Sequence, residues 1–348
     1  MTVLKWNIVH GLSSISHEER LSICQATASF PAANHLGYLQ SVFYSAYHKE
    51  DQPIAILYDD NKAIFALPIV KSKRKKFFFR WTEVGFPFHR HINLIKFPNE
   101  ILENRDLMLS LIDQAKSIHS GWSTFVIRNI SGANQYKYSG DSAWFNTDSH
   151  HAIEDIVSKK HLRNMRRLQK KLVEVTSEPI LSFNKPTLDK ALDEFIEFEN
   201  QTWKGEDGIS IKNEPGMVAM YKALAKQLDN NMAIIRLAID DTCIASALTY
   251  RFNEKLYIHK VSFAPDYAKY GPGNLLLLHI LEYALAQDNL NEVNLVTRPE
   301  WSYRWHPQVT KSYDIEYFRA NITGRLVKLL IHNWRKHKPK LKALFKLS

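Results

Sequence analysis

Hydrophobic positions along this chain follow two rhythms. Apolar residues recur every three or four positions in residues 103–117, where Leu107, Leu111 and Ala115 share a face, and again in 158–173, 187–203 and 217–228. That spacing predicts amphipathic helices. Between them lie short apolar, β-branched runs closed by turn residues. Residues 53–59 and 63–70 flank Asp59-Asp-Asn-Lys62, which is a hairpin signal. Residues 77–84 and 122–129 read as two more strands, and 13–47 reads as helical pieces broken near Pro31.

The second half repeats the theme. Residues 232–239 alternate, Asp240-Asp241 turns, 243–252 returns, Asn253-Glu254 turns again, and 255–263 forms a third strand. Such tight connections predict an antiparallel meander. Ile54-Ala-Ile-Leu-Tyr-Asp-Asp60 beside Ile235-Arg-Leu-Ala-Ile-Asp-Asp241 reads as a weak internal repeat, with a chance match of two hairpins as the other reading. The whole is an α/β (α+β) pattern.

Composition narrows the class. A chain of 348 residues has room for two domains, and 45% hydrophobic with 24% charged residues rules out wholesale disorder. The net charge of +10 attracts nucleic acid, anionic lipid or a phosphate-rich cofactor without choosing among them. Basic residues concentrate in 71–76, 159–171 and 325–346. The first run reads as a solvated hairpin loop, or alternatively as a contact for a polyanionic acceptor. The third lacks any acid, places Leu326, Leu330 and Trp334 on one helical face, and is expected to break at Pro339. It reads either as a helix packed on the fold or as an anchor on anionic membrane.

Cys24 and Cys243 give neither a disulfide framework nor a zinc spacing, so no metal is expected and a reduced, cytoplasmic setting fits. The first residues lack a secretory pattern, and no stretch is apolar enough to span a bilayer.

Candidate chemistry lies after the third strand of the meander. Ala264-Pro-Asp-Tyr-Ala-Lys-Tyr-Gly-Pro-Gly273 leads straight into a helix over 274–285. Gly271 and Gly273 let backbone N–H groups approach an anion closely, and the helix start adds the positive end of its dipole. Together they suit a pyrophosphate, with Lys269 adding charge. A plain sharp turn is the alternative.

Residues 193–306 resemble the acetyltransferase domain of CelD-like (cellulose-biosynthesis-associated) bacterial GNAT proteins. Phe195-Ile-Glu-Phe-Glu-Asn-Gln-Thr-Trp203 is similar to that family's early helix with its Trp, and Ala245 lies where the family has a small residue. Tyr257-Ile-His-Lys-Val-Ser-Phe-Ala-Pro-Asp-Tyr-Ala-Lys-Tyr-Gly-Pro-Gly273 is similar to its strand, P-x-Y step and glycine loop. Asn294-Leu-Val and Tyr303-Arg-Trp305 resemble its final strand and aromatic segment, and Lys159-Lys-His-Leu-Arg-Asn-Met-Arg-Arg167 resembles the basic segment before it. The chain departs from the family at Asn294 (often Asp), at Thr297 and Arg298 (often a Gly in that turn), and at Arg304 (Lys).

The resemblance implies two tandem GNAT-like halves, as in Fem-type transferases, each a mixed, mostly antiparallel sheet flanked by helices. Residues 1–157 would be a degenerate half without a Gly-x-Gly loop (Gly85 stands alone). Residues 158–175 would be a basic connector helix, 176–323 the acyltransferase half and 324–348 a basic amphipathic tail. It further implies transfer of an acyl group from acetyl-CoA or another acyl-CoA to an amine or hydroxyl, with a sugar of a cell-surface polysaccharide precursor as one acceptor. Val261, Ser262 and Phe263 would hold the pantetheine arm, and Lys269, Tyr270, Gly271, Gly273 and Asn274 the pyrophosphate. His259 would act as base and Tyr303 as acid, while Glu199, Trp203 and Arg304 would line the acceptor side. Two competing readings are a Fem-type aminoacyl-tRNA-dependent transferase and a non-catalytic protein bound to nucleic acid or to the inner membrane face.

Overall fold

Turn chemistry sets the frame. Asp60, Asp240, Asp241, Asn253 and Glu254 all take positive φ, the left-handed conformation that tight hairpin turns require. A computed structural model describes residues 4–28, 30, 52–76, 78–86, 95–119, 121–148, 152–184 and 187–345. Part of the helical stretch expected over 13–47 lies outside the described residues; α1 (His17–Ala26) lies inside them, opened by a capping box between Ser16 and Glu19.

Strands β1 (Leu4–His10), β2 (Pro53–Asp59) and β3 (Lys62–Pro68) form a small antiparallel sheet. After Ile69 the chain enters an 11-stranded sheet through its edge strand, β4 (Val70–Lys76). Its other members are β5 (Phe79–Phe86), β6 (Ile95–Lys96), β7 (Thr124–Ser131), β8 (Lys137–Asn146), β9 (Ile180–Phe183), β10 (Met232–Ile239), β11 (Thr242–Phe252), β12 (Lys255–Phe263), β13 (Glu292–Asn294) and β14 (Gln308–Phe318). The order is β4-β5-β7-β14-β8-β13-β12-β11-β10-β9, with β6 beside β7. The helices are α2 (Arg105–Ile118), α3 (Lys159–Val173), α4 (Leu188–Asn200), α5 (Met217–Leu228), α6 (Pro272–Leu285) and α7 (Ile322–Phe345), apart from shorter turns.

Two expectations are corrected. Residues 71–76 are not a solvated loop: they pair in register with β5, from Val70↔Gly85 to Lys76↔Phe79. Their lysines suit a sheet edge, where charge discourages pairing with another chain. Helix α7 runs through Pro339 instead of breaking there. A proline removes one backbone donor, and the Lys, Leu and Ala residues beyond it are strong helix formers.

The sheet alternation splits the core between two faces. Ile234 joins a cluster with Leu192, Phe195, Met220 and Leu224 of α4 and α5, and this cluster also holds Phe65, Leu111 and Phe125 from the first half of the chain. Ile235 points the other way, into a cluster with Leu162 and Met165 of α3 and Leu275, Leu278 and Leu281 of α6. The larger core therefore includes residues from both sides of 158–175.

Parallel pairing occurs in both halves, and it differs between them in a way that bears on where a ligand fits. In the first half, β5 and β7 pair to Phe86↔Ile127, and β6 then continues along β7 at Ile95↔Ile130. A Cβ at Gly85 would lie 2.2 Å from the Val126 carbonyl oxygen, so the two backbones are in contact. In the second half, β12 and β13 pair only from Lys255↔Glu292 to Tyr257↔Asn294. Beyond that point they diverge and leave a cleft.

Two histidines next to this core predict an acid sensitivity. His279 on α6 and His161 on α3 each have a buried Nε2 without a hydrogen-bond partner. Burial pushes both below their ordinary value of 6.5; Arg304 and His306 add to the effect at His161, and Glu282 and Glu178 oppose it at His279. The unfolded chain thus binds these protons first. Stability is complete above the unfolded value and declines as pH falls from there toward the folded pKa. The thermal midpoint should drop between neutral pH and about pH 5, and less steeply in His279→Leu. Equal slopes in a scanning-fluorimetry series would refute the assignment.

Candidate functional site

The cleft where β12 leaves β13 has a volume of about 610 Å³. One wall is β12, from Ile258 to Val261 and Phe263. The facing wall is Leu295, Thr297, Pro299 and Trp301, the floor is the start of α6, and Trp203 and Lys204 close one side.

Strand β12 carries a bulge. Leu248 pairs with Lys260 and Thr249 with Ile258, so His259 is the extra residue. A bulge re-aims side chains and interrupts pairing, which suits a strand edge that must meet something other than a strand. His259 is held at both ring nitrogens: Nε2 lies 2.9 Å from the Tyr221 hydroxyl and Nδ1 lies 3.0 Å from that of Tyr250. Both tyrosines are buried. A neutral imidazole has one donor and one acceptor nitrogen, so one tyrosine accepts from it while the other donates to it.

The facing wall stores strain. The Thr297 N–H closes on the Leu295 carbonyl at 2.6 Å, a three-residue γ-turn with Val296 at φ 65°. Positive φ is costly for a β-branched residue, and such strain clusters at functional positions. Buried Asn294 holds the turn: its Oδ1 accepts from the Val296 N–H at 2.8 Å and from Ser142 Oγ at 3.1 Å. An aspartate here would accept the same two bonds.

At the floor, Gly271 takes φ 63° as N-cap of α6, and Pro272 occupies the first turn. A Cβ on Gly273 would meet Phe263 and Val261 at 3.5 and 3.9 Å, so Gly273 lies close against the side chains of β12 at the floor of the cleft. Asn274 is fixed by the indole N–H of buried Trp305, which donates to its Oδ1 at 3.0 Å.

The expected site residues fall into two groups. His259, Val261, Phe263, Gly271, Gly273, Asn274 and Trp203 line the cleft. Ser262 is buried on β12, with its Oγ 3.3 Å from Lys204 Nζ. Exposed Lys269 places its ammonium over the Tyr270 ring. Tyr303 is half exposed under the Arg298 guanidinium, outside the lining, and Trp301 of the same turn reaches the cleft instead. Arg304 is also outside, its carbonyl accepting from Ser158 Oγ at 3.4 Å. Glu199 is 0% exposed and lies behind the lining.

Glu199 organises residues that sequence reasoning missed. Lys204 Nζ donates to Glu199 Oε1 at 2.8 Å and to the Val261 carbonyl at 2.8 Å, while Lys260 Nζ lies 3.7 Å from the same carboxylate. Two ammonium groups on one carboxylate leave the cleft net positive. Tyr250 was within reach of the sequence, because the Asn253-Glu254 turn fixes Tyr250 opposite Tyr257, two residues before His259. Tyr221 and Lys204 arrive from other elements and carry no local signal.

The match to known families covers this part of the chain: residues 159–305 match a family model described as an acetyltransferase (GNAT) domain. No curated protein matches in sequence. Among solved structures the chain resembles FemX at TM-score 0.59 and 9% identity, over 90% of this chain and 98% of that one. It resembles L-PGS from Bacillus licheniformis at 0.51 and 13% identity, over 92% and 97%. A structure described as a tandem GNAT protein from the clavulanic acid biosynthesis pathway follows at 0.50 and 10%, over 91% and 100%. At these identities the likeness is one of fold: residues 159–305 carry the acetyltransferase (GNAT) domain match, and the chain has the mixed α/β fold of tandem-GNAT proteins.

Proposed function

We propose that the cleft beside β12 binds an acyl-CoA and transfers its acyl group to an amine or hydroxyl acceptor. The observation that carries this reading is the parting of β12 from β13 directly above the start of α6. The opened strand edge suits the amides of a pantetheine arm, and Gly271–Gly273 with the helix N-terminus suits its pyrophosphate. Lys204 and Lys260 add positive charge where a thiolate leaves and where an oxyanion forms on the attacked carbonyl.

The acceptor nitrogen or oxygen attacks the thioester carbon, the C–S bond breaks, and the acceptor's proton must leave. His259 is the proposed proton acceptor. Because both of its nitrogens are engaged, one tyrosine hydroxyl must rotate away from the imidazole as the proton arrives. The thiolate is stabilised by Lys260, which lines the cleft, with Tyr303 as the alternative acid if its turn closes. Trp203, on the open side, is the proposed acceptor contact; a saccharide ring would stack on it. The reaction is an acyl transfer other than aminoacyl transfer, within reach of the cytoplasm where acyl-CoA is found.

A second donor is favoured by one observation. Lys159, Lys160, Arg163, Lys170 and Lys171 are exposed on α3, and Leu168 of that helix lies against Gly271. An aminoacyl-tRNA would use that surface.

Calorimetric titration with acetyl-CoA tests the first reading. Gly273→Ala should fold and bind, since its Cβ meets only ordinary contacts. Gly273→Asp places a carboxylate where the pyrophosphate belongs and should weaken binding by roughly a hundredfold, about 2.7 kcal/mol. Its thermal midpoint should not fall, because an acid in the first helical turn is favourable. Equal affinity in wild type and Gly273→Asp would remove the donor assignment, as would wild-type binding of tRNA without binding of acetyl-CoA.

A further inference from the structure

Helix α7 presents two apolar faces and the fold covers one of them. At about 100° per residue, Val327, Ile331 and Trp334 share one side of the helix. Val327 is 0% exposed, and the helix is in contact with β14. Ile322, Leu326 and Leu329 share another side, roughly 130° away. These three are 79%, 45% and 58% exposed. Arg325, His332 and Lys336 run along the border of that bare stripe, Lys328 lies next to them, and residues 322–348 contain no acid. A stripe of large apolar side chains bordered by cations, on a helix of 24 residues, is out of place against water alone. It matches a surface that is apolar below and anionic at its boundary.

The place of α7 in the fold follows from the strand directions. Strand β12 is parallel to β13, β13 is antiparallel to β8, and β8 is antiparallel to β14. Strand β14 therefore runs in the same direction as β12. Gln308, at its start, is level with Asn294 through their shared partner Trp144, so α7 begins about 33 Å farther along the strands than the point where β12 and β13 part. No described helix is long and apolar enough to cross a membrane, so α7 suits lying along a bilayer, not spanning it.

We propose that α7 docks flat on an anionic phospholipid surface. Ile322, Leu326 and Leu329 enter the boundary between headgroups and acyl chains, and Arg325, Lys328 and Lys336 meet lipid phosphates. This docking stands apart from the chemistry of the cleft and can fail or hold without it.

Co-sedimentation of the full chain with vesicles tests it. The protein should pellet with phosphatidylcholine vesicles containing phosphatidylglycerol, remain soluble with phosphatidylcholine alone, and be released by salt. Leu326→Glu/Leu329→Glu should lower the vesicle affinity by roughly tenfold or more at an unchanged thermal midpoint, because both side chains are exposed. Should that variant misfold, Arg325→Glu/Lys336→Glu gives the same readout through charge alone. Wild type staying in the supernatant with anionic vesicles would overturn the proposal, as would equal pelleting of a folded variant. A concentration-dependent dimer in analytical ultracentrifugation, lost in Leu326→Glu/Leu329→Glu and accompanied by no vesicle binding, would assign the stripe to a second copy instead.

Discussion

Arg128→Ala is expected to lower stability by about 3–5 kcal/mol, because it strips a cation that bridges three carboxylates in the interior of the sheet. Arg128 Nη2 donates to Glu83 Oε2 at 2.7 Å, and Nη1 to Asp314 Oδ2 at 3.1 Å, with Glu316 Oε1 at 3.8 Å. Arg74 pairs with Glu83 at 2.8 Å. Burial disfavours the Arg128 cation, yet the attraction of Glu83, Asp314 and Glu316 together outweighs it and moves its pKa up. Glu83 stands on β5, Arg128 on β7, and Asp314 and Glu316 on β14. The guanidinium thus ties a strand from near the end of the chain to strands of the first half. Denaturant titration should show the lower midpoint, and Arg128→Lys should recover only part of it, since an ammonium lacks the planar fork of donors with which the guanidinium spans carboxylates on two strands. A variant unfolding at the wild-type denaturant concentration would refute the account.

That network also marks where sequence stops being informative. The meander of the second half was legible because its two-residue turns fix the register locally, and the floor of the cleft because Gly271-Pro-Gly273 is contiguous. Strands β8 and β14 were not. They are polar along much of their length, and each is defined by its partner: Ser142 lies opposite Thr310 and Tyr317 opposite Phe125. No window sees residues so far apart. The same holds for Arg128 and its three carboxylates.

The cleft divides on the same line. His259 and the glycine loop lie within one strand–loop–helix unit and could be named. Their supports come from elsewhere, Tyr221 from α5 and Lys204 from the turn after α4. Glu199 has the opposite history: its helical spacing puts it beside Trp203, and only its complete burial shows that it holds other residues in place.

Glu199→Leu should therefore be the second severe change, for stability and for the cleft together. The carboxylate is fully buried, takes Lys204 at 2.8 Å and the Ile211 N–H at 2.8 Å, and faces Lys260 at 3.7 Å. Leucine would leave two poorly solvated ammonium groups without their counter-ion and a buried N–H without an acceptor, at a cost of about 3–5 kcal/mol. Glu199→Gln keeps the shape and one acceptor oxygen but not the charge, and should cost about 1.5–3 kcal/mol. Glu199→Leu/Lys204→Met should be more stable than Glu199→Leu alone, since it removes one of the stranded charges. The double variant separates stability from site geometry. It restores part of the fold, yet leaves the Val261 carbonyl without the ammonium that held it and the Trp203 turn without its tether to β12. Its denaturation midpoint should rise above that of Glu199→Leu while its affinity for acetyl-CoA stays below that of wild type. Recovery of both would mean that Lys204 acts on the cleft only through the stability of the fold.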